Sequence, residues 1–446
     1  MPTMLDSDKK VVSIVPYENP VESVREAVRL CGGLHGLTPN AKVFVKPNIV
    51  FWSKAIPFPK WGVITTSRVV HDAVALLKEF GVSDITIGEG SVLFNPKDHA
   101  TPAHAFEYLG YNKLRDRFGV KVVNVFERPF EKTDLGDGVE LNFNVDFLAS
   151  DFVVNLPVLK THAQTVVSLG IKNLKGLIDV HSRKKCHSAD ASRNLHFMVA
   201  HLANNLPECL TILDGIYTNE RGPGFDGKMR RSNVLVASRD VLSADKVGAK
   251  ILGYDATQVP HLCHAARRLG RPTDLSDVEI VGAAIENFAM NLRYAFAYNE
   301  DNTLPLPFEK MGIKGLSYPK YDDTICTYCS VLTGIILTSI AFAWQGEPWD
   351  DVEILTGKTM KPTPGKKHTI LLGKCLYEAN RNHPDIEKMI AIKTCPPSPQ
   401  AVVKALHQVG IMVNPAIFDH IEEAPGFFMD RYAGKPEFDE SLFRMQ

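Results

Sequence analysis

The sequence predicts an α/β fold with largely parallel sheets flanked by helices, and a smaller C-terminal α/β domain. Three observations predict it. Short β-type runs alternate with helical stripes through the first third of the chain. The run from Asp151 to Leu159 is nearly continuous in apolar residues, as a strand covered on both faces must be. The last third repeats the alternation on a smaller scale.

The elements follow in order. Asn19-Pro20 signals a helix start, with Val21, Val24 and Val28 as its stripe. Lys42 to Val45 reads as a strand stopped by Lys46-Pro47-Asn48. Ser67 is expected to cap a helix running to Phe80, with Val70, Ala73, Leu76 and Leu77 on one face and Gly81 ending it. Asp84 to Ile87 is a strand ending in Gly88-Glu89-Gly90-Ser91. Thr101-Pro102 opens a helix, and Lys121 to Phe126 is a strand. The Asp151 strand runs into Lys160-Thr161-His162 and then Gly170 to Gly176. Leu210 to Leu213 is a strand ending at Asp214-Gly215, and Asn233 to Ala237 is another. Asp240 begins a helix carrying Asp245. Prolines then accumulate at Pro305, Pro307 and Pro319, which sets a boundary near Gly315. The expected domains are 1–315, divisible into 1–150 and 151–315, and 316–446. The latter holds an apolar helix, strands at Val352 to Leu355 and Thr369 to Leu372, and a helix from Ser398 to Val409.

Composition excludes some function classes. Lys+Arg total 50 and Asp+Glu 51 in 446 residues, a net charge of −1. That balance argues against bulk nucleic-acid or anionic-membrane binding. Met1 to Lys10 is polar and lacks the apolar core of a secretory signal. The longest apolar run, Val331 to Trp344, falls short of the roughly 20 residues a membrane span needs. A cytoplasmic location is expected, where thiols stay reduced.

Eight cysteines divide by position. Cys31, Cys186, Cys209 and Cys263 are scattered and read as core residues. Cys326 and Cys329 form CxxC, Cys375 follows the run HTILLG, and Cys395 follows MIAIKT and precedes Pro396-Pro397. Four thiolates arriving where strands end suit a tetrahedral metal or a [4Fe–4S] cluster. Zinc usually takes two compact pairs, and here the second pair is split by 19 residues, which favours the cluster. Packing alone is the bland alternative.

From Lys160 to His187 the chain concentrates Lys160, Lys172, Lys175, Arg183, Lys184 and Lys185 against Asp179 alone. This suits a phosphate or carboxylate ligand, or else a solvated surface. Lys160 and His162 are the candidate catalytic residues, with His162 as general acid or base. The segment lacks aromatics for base stacking, and its glycines match neither a P-loop nor GxGxxG. Asp214, Asp240 and Asp245 are candidates for a divalent cation, with helix capping the favoured role for Asp240.

Two resemblances add to this. VFVKPNIV, the EGS turn, NLPVLKTH, LGIKNLKG, ILDGI, GPG and ASRDVLSADKVGAKILG occur here in the order seen in domain-of-unknown-function family 362, over roughly Lys42 to Gly253. The resemblance marks Lys46, Asn48, Glu89, Lys160, Thr161, His162, Lys172, Asn173, Lys175 and Gly176 as motif positions. It implies iron–sulfur segments toward the C-terminus. Separately, Leu372-Gly373-Lys374-Cys375 and Ile392 to Pro399 resemble the cluster-binding turns of the small subunits of nickel–iron hydrogenases and respiratory NADH dehydrogenase. Here Thr394 stands where those families have Gly.

The expected function is an iron–sulfur redox enzyme of anaerobic metabolism. One [4Fe–4S] cluster sits on Cys326, Cys329, Cys375 and Cys395. An anionic small molecule is bound by Lys46, Asn48, Glu89, Thr161, Lys172, Asn173 and Lys175. A ferredoxin-like redox partner and a homo-oligomer are compatible with it; nucleic acid and membrane are not expected as partners. The alternatives are a non-redox lyase, isomerase or transferase with an open iron, and an electron- or cluster-transfer module without a substrate.

Overall fold

The computed structural model describes residues 9–57, 60–90, 98–205 and 207–445. The chain forms two compact units. The first comprises 1–183, 196–295 and 425–446, and the second 184–195 and 296–424.

The first unit is built on a ten-stranded mixed sheet. Its strands are β1 (Lys10–Pro16), β2 (Lys42–Lys46), β3 (Asp84–Glu89), β4 (Lys121–Asn124), β7 (Phe152–Asn155), β8 (Val158–His162), β9 (Val166–Ser168), β10 (Glu208–Glu220), β11 (Lys228–Ser238) and β12 (Val278–Gly282). A separate hairpin is made by β5 (Phe130–Asp134) and β6 (Glu140–Asn144). The main order is β12-β1-β11-β10-β7-β2-β3-β4, with β8 against β10 and β9 against β8. The run β10-β7-β2-β3-β4 is parallel throughout, whereas β11 is antiparallel to both β1 and β10. Parallel strands are reached by crossovers, and here the helices Glu22–Leu30 and Ser67–Glu79 supply them. Their apolar faces enter a core with Val24, Val28, Val70, Val74 and Leu77.

Several local expectations shift for physical reasons. The first helix starts at Glu22, behind Val21, which has φ 64°. Thr66, not Ser67, is the N-cap of the second helix, because the Ser67 hydroxyl turns away to donate to Phe443 O at 3.0 Å. The run from Lys121 leaves the sheet at Asn124 and closes a 3-10 turn over Val125–Glu127. The Asp151 run breaks into β7 and β8 around Pro157, which has no N–H for a ladder. Asp214 lies inside β10 rather than at its end. Ser91 of the EGS turn lies outside the described residues.

The second unit has a four-stranded parallel sheet in the order β13 (Leu316–Ser317), β14 (Val352–Leu355), β15 (His368–Leu372) and β16 (Lys388–Ile392). The apolar run forms the helix Thr327–Ala343, which packs Leu332, Ile336 and Ile340 into this unit's core. Ser398 accepts from Ala401 N at 3.2 Å and caps the helix Pro399–His407.

Candidate functional site

The strands β7, β2 and β3 are parallel neighbours, so their carboxyl ends lie on one edge. Their last residues are Asn155, Lys46 and Glu89, and Lys46 pairs in register with Asn155. All three side chains are buried. Lys46 Nζ ion-pairs with Glu89 Oε2 and donates to Pro47 O at 2.7 Å and Asn173 Oδ1 at 3.3 Å. An ammonium has three N–H bonds, and Lys46 spends all of them inside the fold. Burial holds its pKa below the ordinary value, and Glu89 opposes the shift. Glu89 also accepts from Gly90 N at 2.9 Å and Ile49 N at 3.4 Å. Gly176 covers the pair. A Cβ there would lie 2.7 Å from Lys46 Nζ and 3.0 Å from Glu89 Oε1, so only glycine packs without displacing them.

Lys160, on β8, completes this network. Its Nζ donates to Asn48 Oδ1 and to Val63 O, both at 2.7 Å. Burial pushes its pKa down to about 7, against the pull of Glu89. Asn48 is fixed in turn, because its backbone N–H donates to Thr65 Oγ1 at 2.8 Å and that hydroxyl donates to Leu156 O at 2.6 Å. Asn173 Nδ2 donates to Asn155 Oδ1 at 2.8 Å. As a neutral amine, Lys160 would use both N–H bonds on these two acceptors, which fixes the direction of its lone pair.

The remaining expected residues lie apart from this core. Thr161 Oγ1 is within 3.1 Å of the carbonyls of Asn219 and Arg293. His162 Nδ1 accepts from Gln164 N at 3.1 Å. Lys172 is near His261, whose imidazole is held well below its ordinary pKa by burial, then His196 and Lys172. Lys175 is half-buried. Arg183 serves the backbone, donating to Gly176 O at 2.7 Å and Ile178 O at 3.1 Å.

The three aspartates are engaged by N–H donors. Asp214 accepts from Thr66 N at 2.7 Å and Ile216 N at 3.1 Å, and burial pushes its pKa up to about 6. Asp245 accepts from Gly170 N at 2.6 Å and Ile171 N at 2.9 Å, with its pKa pushed up by burial to about 7. Asp240 caps its helix through Ser243 N at 2.7 Å and pairs with Arg271 at 2.8 Å. Sequence reasoning missed Asn155, Thr65 and the Val63 carbonyl. Only Asn155 left a signal, as a polar residue inside an apolar run.

In the second unit the cysteines sit around the carboxyl ends of strands. Cys326 is the N-cap of Thr327–Ala343, and Cys329 lies in its first turn. Cys375 lies in the first turn of Lys374–Asn380 after β15, and Cys395 follows β16. Lys374 N donates to Thr394 O at 3.2 Å, tying those two turns together. Gly373, at φ 98°, brings its backbone close: a Cβ there would lie 3.4 Å from Cys329 Sγ. The hydrogen bond between Cys326 and Cys329 pushes the Cys326 thiol down to about 5 and Cys329 up. Burial and the charges of Cys326, Cys395 and Cys375 also raise Cys329, so all four sulfurs are electrostatic neighbours. Lys184 Nζ is 3.8 Å from Cys395 Sγ. Cys375 and Cys395 are exposed, Cys326 and Cys329 half-buried. The donor set fits a thiolate-bound cluster in kind. Among the described residues, no three His, Cys, Asp or Glu side chains are gathered closely enough to hold a single metal ion.

Both the buried lysine network and its glycine cover fall in one stretch of chain. Residues 43–250 match the model of the family described as a domain of unknown function, DUF362. The matched segment contains Lys46, Asn48, Glu89, Lys160, Asn173 and Gly176, and it ends before the C-terminal cysteines. A thylakoid-associated protein of Synechocystis sp. is 29% identical over 252 residues, covering 56% of this chain and 74% of that protein. Among the described residues, no helix is long and apolar enough to cross a membrane.

Proposed function

We propose that the protein is an iron–sulfur redox enzyme acting on an anionic small molecule. Cys326, Cys329, Cys375 and Cys395 would hold one [4Fe–4S] cluster, and the DUF362 segment would bind the substrate near Lys160. The observation that carries the reading is the placement of Cys375 and Cys395 just after β15 and β16, with Cys326 and Cys329 at the start of the helix Thr327–Ala343 and Cys329 within electrostatic reach of the other three. The likeness of the Gly373-Lys374-Cys375 and Cys395-Pro396-Pro397 turns to hydrogenase and NADH dehydrogenase small subunits supports it. The cluster supplies one-electron transfer when bound. Exposure of Cys375 and Cys395 favours electron exchange with a ferredoxin-like partner at the surface.

The chain's own residues would manage protons and charge. Lys160, with a pKa near 7, takes or gives a proton at Nζ within the working pH range. Lys46 and Glu89 neutralise each other and hold Asn173 in place. The test is anaerobic purification with iron and sulfide analysis beside EPR of the reduced protein. Near-equal iron and sulfide with a reducible signal supports the reading; stoichiometric zinc without sulfide overturns it.

A further inference from the structure

The second unit buries a carboxylate that the proposed function does not use. The strand β14 reads Val-Glu-Ile-Leu, and its Glu353 is 0% exposed. A parallel strand covered on both faces ordinarily carries apolar residues throughout. Glu353 pairs in register with Thr369 of β15, so both side chains leave the same face of the sheet. Two residues further on, Leu355 and Leu371 pair on that face and pack with Leu376 of the helix Lys374–Asn380. That helix connects the parallel strands β15 and β16, so it runs back against them. Asn380 lies one turn beyond Leu376. Four helical residues advance about 6 Å and two strand residues about 6.6 Å, so Asn380 sits at the level of Glu353 and Thr369. Each member of this layer has a buried oxygen without a hydrogen-bond partner: Glu353 Oε1, Thr369 Oγ1 and Asn380 Oδ1. The Asn380 amide is oriented by its own donors, because Nδ2 donates to Met360 O at 3.1 Å and Leu376 O at 3.2 Å. Glu353 Oε2 accepts from the neutral Thr363 N–H at 3.1 Å. Among the described residues, no cationic side chain ion-pairs with Glu353.

We infer that this layer binds an alkali-metal cation, Na+ or K+, through Glu353 Oε1, Thr369 Oγ1 and Asn380 Oδ1. Three features converge on that ligand. The donors are all oxygens, which suits a hard cation and not a thiolate-seeking metal. One carboxylate balances one positive charge, which selects a monovalent ion over Ca2+ or Mg2+. The Thr369 hydroxyl holds the single proton the three oxygens could share, so they lack donors of their own. A water molecule would supply donors but leave the buried carboxylate without a counter-charge, which is the costlier deficit. Met360 O, fixed by Asn380 Nδ2, adds a carbonyl beside them. The ion would tie together β14, β15, the loop between them and the crossover helix.

The test is amide hydrogen exchange of the full chain, read by peptide mass spectrometry in NaCl, KCl and choline chloride at equal ionic strength. A cation bound only to the closed site slows exchange through opening by one plus the ratio of its concentration to its Kd. At about ten times Kd, peptides within 352–380 should therefore exchange about tenfold more slowly in one alkali chloride than in choline chloride. Peptides covering β2 and β7 of the first unit should exchange equally in all three salts. Glu353→Gln removes the charge and offers N–H donors to the two neutral oxygens, so it should fold and lose the cation dependence. Equal exchange of the unmutated protein in the three salts would overturn the inference, and that readout needs no variant. Slowing by CaCl2 with no response to either alkali cation, or full cation dependence in Glu353→Gln, would overturn it too. All samples are compared at one iron content, so failure here is separable from failure of the cluster reading.

Discussion

The two parallel sheets treat their carboxyl edges differently. At the edge of β7, β2 and β3 the polar groups are buried and hydrogen-bonded to one another: Lys46 to Glu89, Lys160 to Asn48, Asn173 to Asn155. Around β15 and β16 the thiols are half-buried or exposed, and backbone contacts set the turns that carry them. The first arrangement is completed by folding, because a buried charge without a partner is too costly to leave. The second leaves its donors facing outward, where an external group can take them. A parallel edge thus positions functional groups in both units, but burial decides whether they are committed to the fold.

Four experiments bear on that contrast. The largest effect is expected at the thiols: Cys375→Ser should remove most bound iron from the anaerobically purified protein, while Cys31→Ser, in the core of the first unit, should leave iron content unchanged. Equal iron in both variants would erase the proposed difference. Next, Lys46→Met should strip Glu89 of its counter-ion and destabilise the first unit by about 3–5 kcal/mol in urea unfolding. A loss below about 1 kcal/mol would mean that Glu89 is not committed as described.

The third concerns pH. Lys160 has a folded pKa near 7 and an unfolded value of 10.5, so between them the unfolded chain holds a proton that the folded chain has released. Stability from this group is present above the unfolded value and lost as pH falls through 7. Relative to Lys160→Met, the unmutated protein should gain on the order of a few kcal/mol between about pH 7 and 10. A constant difference across that window counts against a buried, depressed lysine. The smallest effect is Ser398→Ala, which removes the cap of Pro399–His407 at a cost of about 1 kcal/mol and should leave the first unit's unfolding unchanged.

Much of this was legible in the chain because the strand ends carry chemistry. Lys46, Glu89 and Lys160 each close an apolar run, and such positions fall on one edge of a parallel sheet. The second unit's alternation likewise foretold β14, β15 and the helix that follows Ser398. The pairing of Lys46 with Glu89 was not legible, since 43 residues separate them and neither run signals its neighbour. The family resemblance placed both in the expected substrate-binding set without pairing them. Glu353 was also missed, because nothing in its local sequence announces the Thr369 and Asn380 oxygens at its level. Position within an apolar run predicts where a charge emerges; it does not predict what meets it there.

The last residues of the chain, 425–446, belong to the first unit and not to the second that precedes them. Met429, Tyr432, Phe443 and Met445 enter its core, and Tyr217 O–H meets the Asp439 backbone. Truncation just past residue 424 would therefore spare the second unit's own sequence yet open the hydrophobic core of the first. Variants truncated there should behave as folding lesions of a unit that begins more than four hundred residues earlier.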